Sequence, residues 1–280
     1  QDLQAVTSGG DETPVYNFGV DGNADDLVKS VLTRGGPTRI PTGFHAFDDI
    51  NVGIPLGAAF MIGAPTGGGK STVAAVLGEN MAMAGANVCM IPLEMNPEEV
   101  VQRNLARIAK VDLLDLVNVK NMKVDRKKKI YRAYKEYDNK LKRRGGRFSI
   151  IDPKFEPTME ATLNFVKPLK FDVVIIDYVG LMAGIGGDQA WQRLSEAVAY
   201  AKRWAEQNAA IVVIIVQITE DLKVRYSQAM KEHSSYGWLW GMDKMTRENK
   251  IVVVNQVKCR QGRPFDFPLY VDFDQMVARD

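Results

Sequence analysis

Between Ala58 and Gly85 the chain passes from an apolar hexapeptide, AAFMIG, through APTGGGKS into the helix-like run TVAAVLGENMAMAG. Three consecutive glycines suit neither element, because glycine gives up more backbone freedom on folding than any other residue. They mark a tight strand-to-helix turn at Gly67–Gly69. A buried strand followed at once by a helix opens a βα unit, and such units build parallel sheets with helical crossovers. The rest of the sequence agrees. Strand-like segments at Ala58–Gly63, Asn87–Pro92, Arg147–Ile151, Asp172–Asp177 and Ala210–Gln217 are separated by helix-like stretches. Two more, Lys250–Val257 and Pro268–Phe273, are joined by a short loop holding Gly262 and Pro264. The expected fold is α/β, a mostly parallel central sheet flanked by helices with a C-terminal antiparallel edge hairpin.

Length and composition bound what such a fold can be. With 280 residues, 46% hydrophobic and 25% charged, the chain can bury one large core. Residues 1–36 read as an N-terminal extension. Its first part is Gly-, Asp- and Ser-rich, and an amphipathic linker helix follows at Asp25–Arg34, with Asn23 placed to cap it. Gly35, Gly36 and Pro37 break that helix, leaving 37–280 as the main domain. No apolar run reaches eighteen residues, so a membrane partner is not expected. The start at Gln1 shows no secretory leader and hints that the true N-terminus is absent. Cys89 and Cys259 are far apart and outside any CxxC pair, which fits a reducing cytoplasm and excludes a disulfide scaffold. With only His45 and His233, chemistry based on a histidine cluster is excluded too.

The turn itself has a chemistry. Ala64-Pro65-Thr66-Gly67-Gly68-Gly69-Lys70-Ser71 fits the P-loop pattern, with Ala64 where glycine is commonest. Its glycines let successive amides curl around phosphate oxygens, and the helix beginning near Thr72 directs its positive end at them. Lys70 supplies a cation to the β- and γ-phosphates, and the Ser71 hydroxyl is a ligand for Mg²⁺. The cofactors expected are ATP and Mg²⁺. A second acid-bearing strand, VVIIDY, ends in Asp177, at the sheet rim where α/β proteins bind ligands. Asp177 is placed to hold Mg²⁺ through water. Tyr178 follows, so an adjacent glutamate is missing and the base that activates water must come from elsewhere. Glu94, after the strand NVCMIP, sits at the same rim.

In order, the P-loop, IPLEMNPEEVVQRNLARIA, VVIIDYVGLM, IVVIIVQITE and VKCRQG resemble the RecA-like motor domain of replicative hexameric DNA helicases, both DnaB-type and phage. The resemblance runs from about Arg39 to Phe273. It implies a homo-hexameric ring that hydrolyses ATP, moves 5′–3′ on single-stranded DNA and unwinds duplex, with a primase and a loader as partners. It assigns Glu94 as catalytic base and Gln217 as γ-phosphate sensor. Lys258 and Arg260 become the pair inserted into the neighbouring subunit's ATP site, Arg260 as the arginine finger. Two loops, about 183–193 and 219–235, would face DNA, with Lys223, Arg225, Lys231, Glu232 and Ser234 as contacts. Lys231-Glu232-His233-Ser234 departs from the family's Arg-Glu-Ser-Gly, which weakens that assignment. Tyr236, Trp238 and Trp240 fit a packed role better than base stacking. Two other functions share the phosphate site: a strand-exchange recombinase acting as a filament, and a nucleotide-dependent oligomeric switch that ignores DNA.

One feature stands outside these motifs. Between Lys123 and Arg144, eleven Lys/Arg face three acids, a local balance of +8 in a chain of net charge +2, so the remainder carries −6. Ile130, Ala133, Tyr134, Tyr137 and Leu141 recur at helical spacing within the run, which reads as an exposed amphipathic helix or a nucleic-acid patch.

Overall fold

The structure, a computed structural model, describes residues 28, 29, 32, 38–182, 190–218 and 232–280, the side chains of 190 and 191 excepted. It divides into two compact units, Gln1–Thr38 and Arg39–Asp280. In the first, Val28, Lys29 and Leu32 are helical; the rest of the anticipated linker helix lies outside the described residues.

The second unit begins with a small antiparallel pair, β1 (Arg39–Ile40) and β2 (Ile54–Pro55), bracketing helix α1 (His45–Asn51). The main sheet then alternates with helices: β3 (Ala59–Ala64), α2 (Lys70–Met83), β4 (Asn87–Pro92), α3 (Pro97–Ala109), α4 (Leu113–Val117), α5 (Val124–Arg144) and β5 (Arg147–Ile150). It continues through α6 (Met159–Val166), β6 (Val173–Asp177), α7 (Ala190–Asn208) and β7 (Ile211–Gln217). The last elements are β8 (Tyr236–Leu239), α8 (Lys244–Asn249), β9 (Ile251–Cys259), β10 (Asp266–Asp272) and β11 (Val277–Arg279).

Nine strands among the described residues form one sheet in the order β11-β10-β9-β8-β3-β7-β6-β4-β5. The six from β5 to β8 are mutually parallel, and β8 to β11 pair antiparallel. The edge hairpin is therefore present but belongs to a wider antiparallel wing. Two of its strands have no counterpart in the sequence reading. β8 is only four residues long and follows a polar stretch, and β11 has three residues.

Strand alternation splits the core in two. Phe60, Ile62, Val88, Met90, Val173, Ile175 and Val213 point to the face covered by α2. Met61, Cys89, Ile91, Val174, Ile176 and Val212 point to the face covered by α6 and α7. Both faces are apolar because parallel strands are buried on both sides. In β8, Trp238 is fully buried among Phe44, Phe47, Phe60 and Phe267, with edge-on ring contacts at 4.8–5.8 Å. Each such contact contributes about 0.5–1.5 kcal/mol beyond area burial. Tyr236 and Trp240 are also fully buried, so the three aromatics are core residues.

Helix α3 starts at a proline behind Asn96, whose side chain accepts from the amide of Glu99. It docks on α2 through a buried ion pair between Arg107 and Glu79. Burial raises the Glu79 pKa, and the guanidinium opposes that rise. The basic run is a single 21-residue helix, α5, with Ile130 and Leu141 buried and Gly145 closing it in a left-handed conformation.

Candidate nucleotide-binding cleft

The loop at the carboxyl end of β3 has the backbone that its glycines anticipate. Gly69 lies at φ 78°, and a Cβ there would stand 3.0 Å from Val271 Cγ1. Gly68 closes a turn onto Pro65 O at 2.9 Å, and a Cβ on it would meet that oxygen at 2.8 Å. Any larger side chain would push the loop off its seat or close the cradle. Ala64 ends β3, and Pro65 and Thr66 turn the chain into the glycines.

Lys70 and Ser71 open α2, with Thr72 behind them donating its hydroxyl to Met276 Sδ at 3.6 Å. The Lys70 side chain is buried, and its ammonium lies 5.3 Å from the centre of the Tyr178 ring, an attraction of cation and ring face. Asp177 ends β6 and is 1% exposed, and neither carboxylate oxygen accepts a hydrogen bond among the described residues. Burial drives its pKa up to about 6; the Ser71 hydroxyl and the Lys70 charge restrain it, while Glu94 raises it further. A buried carboxylate without a partner beside a serine hydroxyl is an electrostatic demand for a cation.

The cleft over this loop has a volume of about 280 Å³. Thr66, Gly67, Gly69, Lys70, Ser71 and Thr72 line one wall, and Glu94 and Arg103 another, with Met95, Phe273 and Met276 completing it. Glu94 stands exposed in the bend between β4 and α3. Sequence motifs thus bring Lys70, Ser71, Asp177 and Glu94 together. Gln217 ends β7 directly opposite Ala64, abreast of the loop. Lys258 and Arg260 lie elsewhere: Lys258 pairs with Gly237 in β9, and the Arg260 amide donates to Ser235 O at 2.9 Å. Ser235 in turn donates to Ala59 O, at the opposite end of β3 from the glycines, a strand length of roughly 16 Å away. The Arg260 guanidinium is exposed, 3.8 Å from Glu206.

Of the residues assigned to DNA, Lys223, Arg225 and Lys231 lie outside the described residues. Glu232 is exposed and Ser234 is 3% exposed. Residues 183–189 and 219–231, most of both anticipated loops, are likewise outside them.

Four residues that line the cleft or touch its loop escaped the motif reading. Arg103 faces the site from the helix after Leu-Glu-Met, and its arginine was visible in the sequence without a stated role. Trp240 donates its indole N–H to Gly68 O at 2.7 Å. Arg247 of α8 approaches Gly67, one guanidinium nitrogen 3.3 Å from where a Cβ would stand. Phe273 comes over the loop from the end of β10. The last three arrive through the antiparallel wing, whose β9–β10 hairpin was expected but whose approach to the loop no local pattern gives.

A parallel sheet with a glycine cradle at the end of one strand and a buried acid at the end of a nearby one defines a P-loop nucleotide-binding core of RecA-like fold. Residues 39–231 match the model of the DnaB-like helicase C-terminal domain, and the chain belongs to that family. The replicative DNA helicases DnaB of Haemophilus influenzae and Pasteurella multocida are 33% and 32% identical to it over 88 residues. That stretch is 31% of this chain and 19% of each relative, so the match spans about a fifth of those proteins. Among solved structures, an isolated ATPase domain superposes with a TM-score of 0.79 at 18% identity, covering 93% of this chain and 99% of that one. A DnaB-like replicative helicase, described with its interactions with primase, gives 0.74 at 17% identity, covering 94% and 67%. These two likenesses establish a shared fold.

Proposed function

We propose that this chain is the ATP-driven motor of a ring-forming replicative DNA helicase that moves along single-stranded DNA and separates duplex. The observation that supports it most is the convergence of Lys70, Ser71, Asp177, Glu94 and Arg103 on one cleft in a chain of the DnaB-like helicase family. Alone, the cleft supports nucleotide hydrolysis; the family supplies the DNA.

The loop amides of Gly67–Gly69 cradle the β-phosphate, and Lys70 leaves the Tyr178 ring to neutralise the β- and γ-phosphates. Glu94 takes the proton of a water that attacks the γ-phosphorus as the bond to the ADP oxygen breaks. Arg103, on the same wall, stabilises charge gathering on the transferred group. Ser71 and Asp177 would hold Mg²⁺, which when bound neutralises phosphate charge. The orphaned Asp177 oxygens fit that ion. Gln217 reports the γ-phosphate from β7 to the segment after it. Arg260, remote from its own loop, completes the site of the next subunit in a homo-hexamer. Lys258 accompanies it.

Lys223, Arg225, Lys231, Glu232 and Ser234 belong to the DNA-facing segment in this reading, and primase and a loader are the protein partners. Among the described residues no helix is long and apolar enough to cross a membrane. The deciding experiment measures ATP turnover with and without single-stranded DNA, then strand separation on a forked duplex. Stimulated turnover with unwinding is expected. Turnover indifferent to DNA would leave a nucleotide switch, and stimulation without unwinding would leave a strand-exchange ATPase.

A further inference from the structure

The basic helix α5 takes no part in the cleft, and its charge is arranged rather than scattered. At 100° per residue, the buried Ile130 and Leu141 define the inward direction. Lys128, Arg132, Lys135 and Arg143 then fall within a sector of roughly 80° on the opposite side. All four are exposed. Among the described residues none of them takes part in an ion pair or hydrogen bond; the nearby acids are engaged by other cations, Asp138 by Lys142 and Asp115 by Arg126. Asp125 and Glu136 lie at the margin of the sector. Lys129 and Lys140 flank it, also exposed and without such partners. From Lys128 to Arg143 the stripe rises about 22 Å, the axial length of roughly six phosphates on one strand.

Beside the stripe stands Tyr131, 59% exposed, with Tyr134 tilted against it at 6.2 Å. Lys135 lies over both rings, 5.4 and 5.6 Å from their centres. Exposed rings interleaved with cations form the surface that stacks bases while it tracks a backbone. Two other polyanions fit less well. Insertion into an anionic membrane needs a free apolar face, and that of α5 is packed against α3 and α2. An acidic protein segment needs a groove with cations in it, and the groove beside the stripe, where Tyr131 and Tyr134 stand, is lined by apolar side chains with Lys127 as the one charged residue. Like charges at i,i+4 and i,i+3 (Lys128 with Arg132, Lys129 with Arg132, Arg132 with Lys135) repel along the helix, so solubility alone would favour interspersed acids.

We propose that the outward face of α5 binds the backbone of single-stranded nucleic acid at a site separate from the nucleotide cleft, with Tyr131 as a stacking platform. The proposal rests on the motor reading for its natural ligand, the strand displaced as a duplex opens.

The test uses the full chain and forked DNA with either one or two oligothymidine tails, titrated by fluorescence anisotropy across salt concentrations. The fourfold variant Lys128→Gln, Arg132→Gln, Lys135→Gln, Arg143→Gln alters only exposed side chains. Wild-type protein should prefer the two-tailed fork. In the variant the preference should vanish, and the slope of log affinity against log salt on that fork should fall by about 3, at roughly 0.7 per lost contact. Lys128→Arg with Lys135→Arg should retain binding, and ATP turnover on one-tailed DNA should be unchanged in all variants. Equal preference and slope in wild type and the fourfold variant overturn the proposal. So does equal competition by polyglutamate or by phosphatidylserine vesicles, which would assign the face to protein or membrane. Loss of DNA-stimulated turnover in wild type would instead remove the motor reading, and a slope that still fell in the variant would keep the surface as a nucleic-acid site.

Discussion

The indole N–H of Trp240 donates to the carbonyl oxygen of Gly68 at 2.7 Å, so a residue just beyond β8 clamps the glycine loop from 172 positions along the chain. Trp240 is fully buried, and its own amide continues the strand pairing with a 3.2 Å bond to Gly63 O. The antiparallel wing and the loop therefore share one rigid joint.

Replacing Trp240 by Phe keeps most of the ring and removes the donor. A buried Gly68 carbonyl left unpaired should cost about 1–3 kcal/mol of stability. Nucleotide affinity should fall with it, because the loop loses its seat. Thermal unfolding and nucleotide titration check this; if neither changes, the contact is incidental.

Glu94→Gln conserves shape and removes the proposed base. Turnover should drop at least ~100-fold while nucleotide still binds. Steady-state hydrolysis beside equilibrium binding reads both quantities, and turnover within a few-fold of wild type would place the base elsewhere.

Arg260 faces solvent at the end of the sheet remote from its own Gly69. Arg260→Ala and Arg260→Lys should both lose DNA-stimulated hydrolysis by a factor on the order of 10³ while binding nucleotide, since an ammonium has neither the reach nor the fork of a guanidinium. Tethered dimers pairing Arg260→Ala with Glu94→Gln should recover activity at the interface that keeps both groups. Normal hydrolysis by the single Arg260 variants would make this arginine a surface charge.

Asp272 holds the turn that carries Phe273 and Met276 over the cleft. Its carboxylate accepts from Lys250 Nζ at 2.9 Å, from Tyr270 at 3.0 Å and from the amides of Asp274 and Gln275. Burial opposes ionisation, but these donors outweigh it and hold the pKa down at about 2. A depressed folded-state pKa stabilises the fold above the unfolded value near 4, and that contribution is lost as pH falls through 2. Asp272→Asn should thus destabilise the protein at pH 7 by on the order of 1–2 kcal/mol, with the gap narrowing between about pH 4 and pH 2. Urea unfolding across pH measures it. A gap independent of pH would mean that the amide replaces every bond the carboxylate makes.

The glycine turn, the buried strands and the acids that end them were legible because each is a local demand. Three glycines before Lys-Ser leave one backbone path. A strand such as VVIIDY declares both its burial and its polar end. Expected strand limits fell within two residues of the observed ones; β9 runs on through Cys259 and so carries Lys258 inside the sheet. Arg103 was half legible: the helix was recognisable, but its direction depends on how α3 docks through Arg107 and Glu79.

β8 was hidden because YGWLW has the composition of either a stacking surface or a core strand. Only the pocket formed by Phe44, Phe47, Phe60 and Phe267 chooses between them. By itself the sequence determined the parallel α/β class, the glycine turn and the placing of Lys70, Ser71, Glu94 and Asp177 at one rim of the sheet, since these follow from contiguous residues. The tertiary structure alone decided that Trp240, Arg247 and Phe273 close on that loop and that Arg260 points away from it. Those relations join residues 172 to 204 positions apart, from Gly68–Trp240 to Gly69–Phe273, and they follow from the order in which strands pair, which no local stretch of sequence encodes.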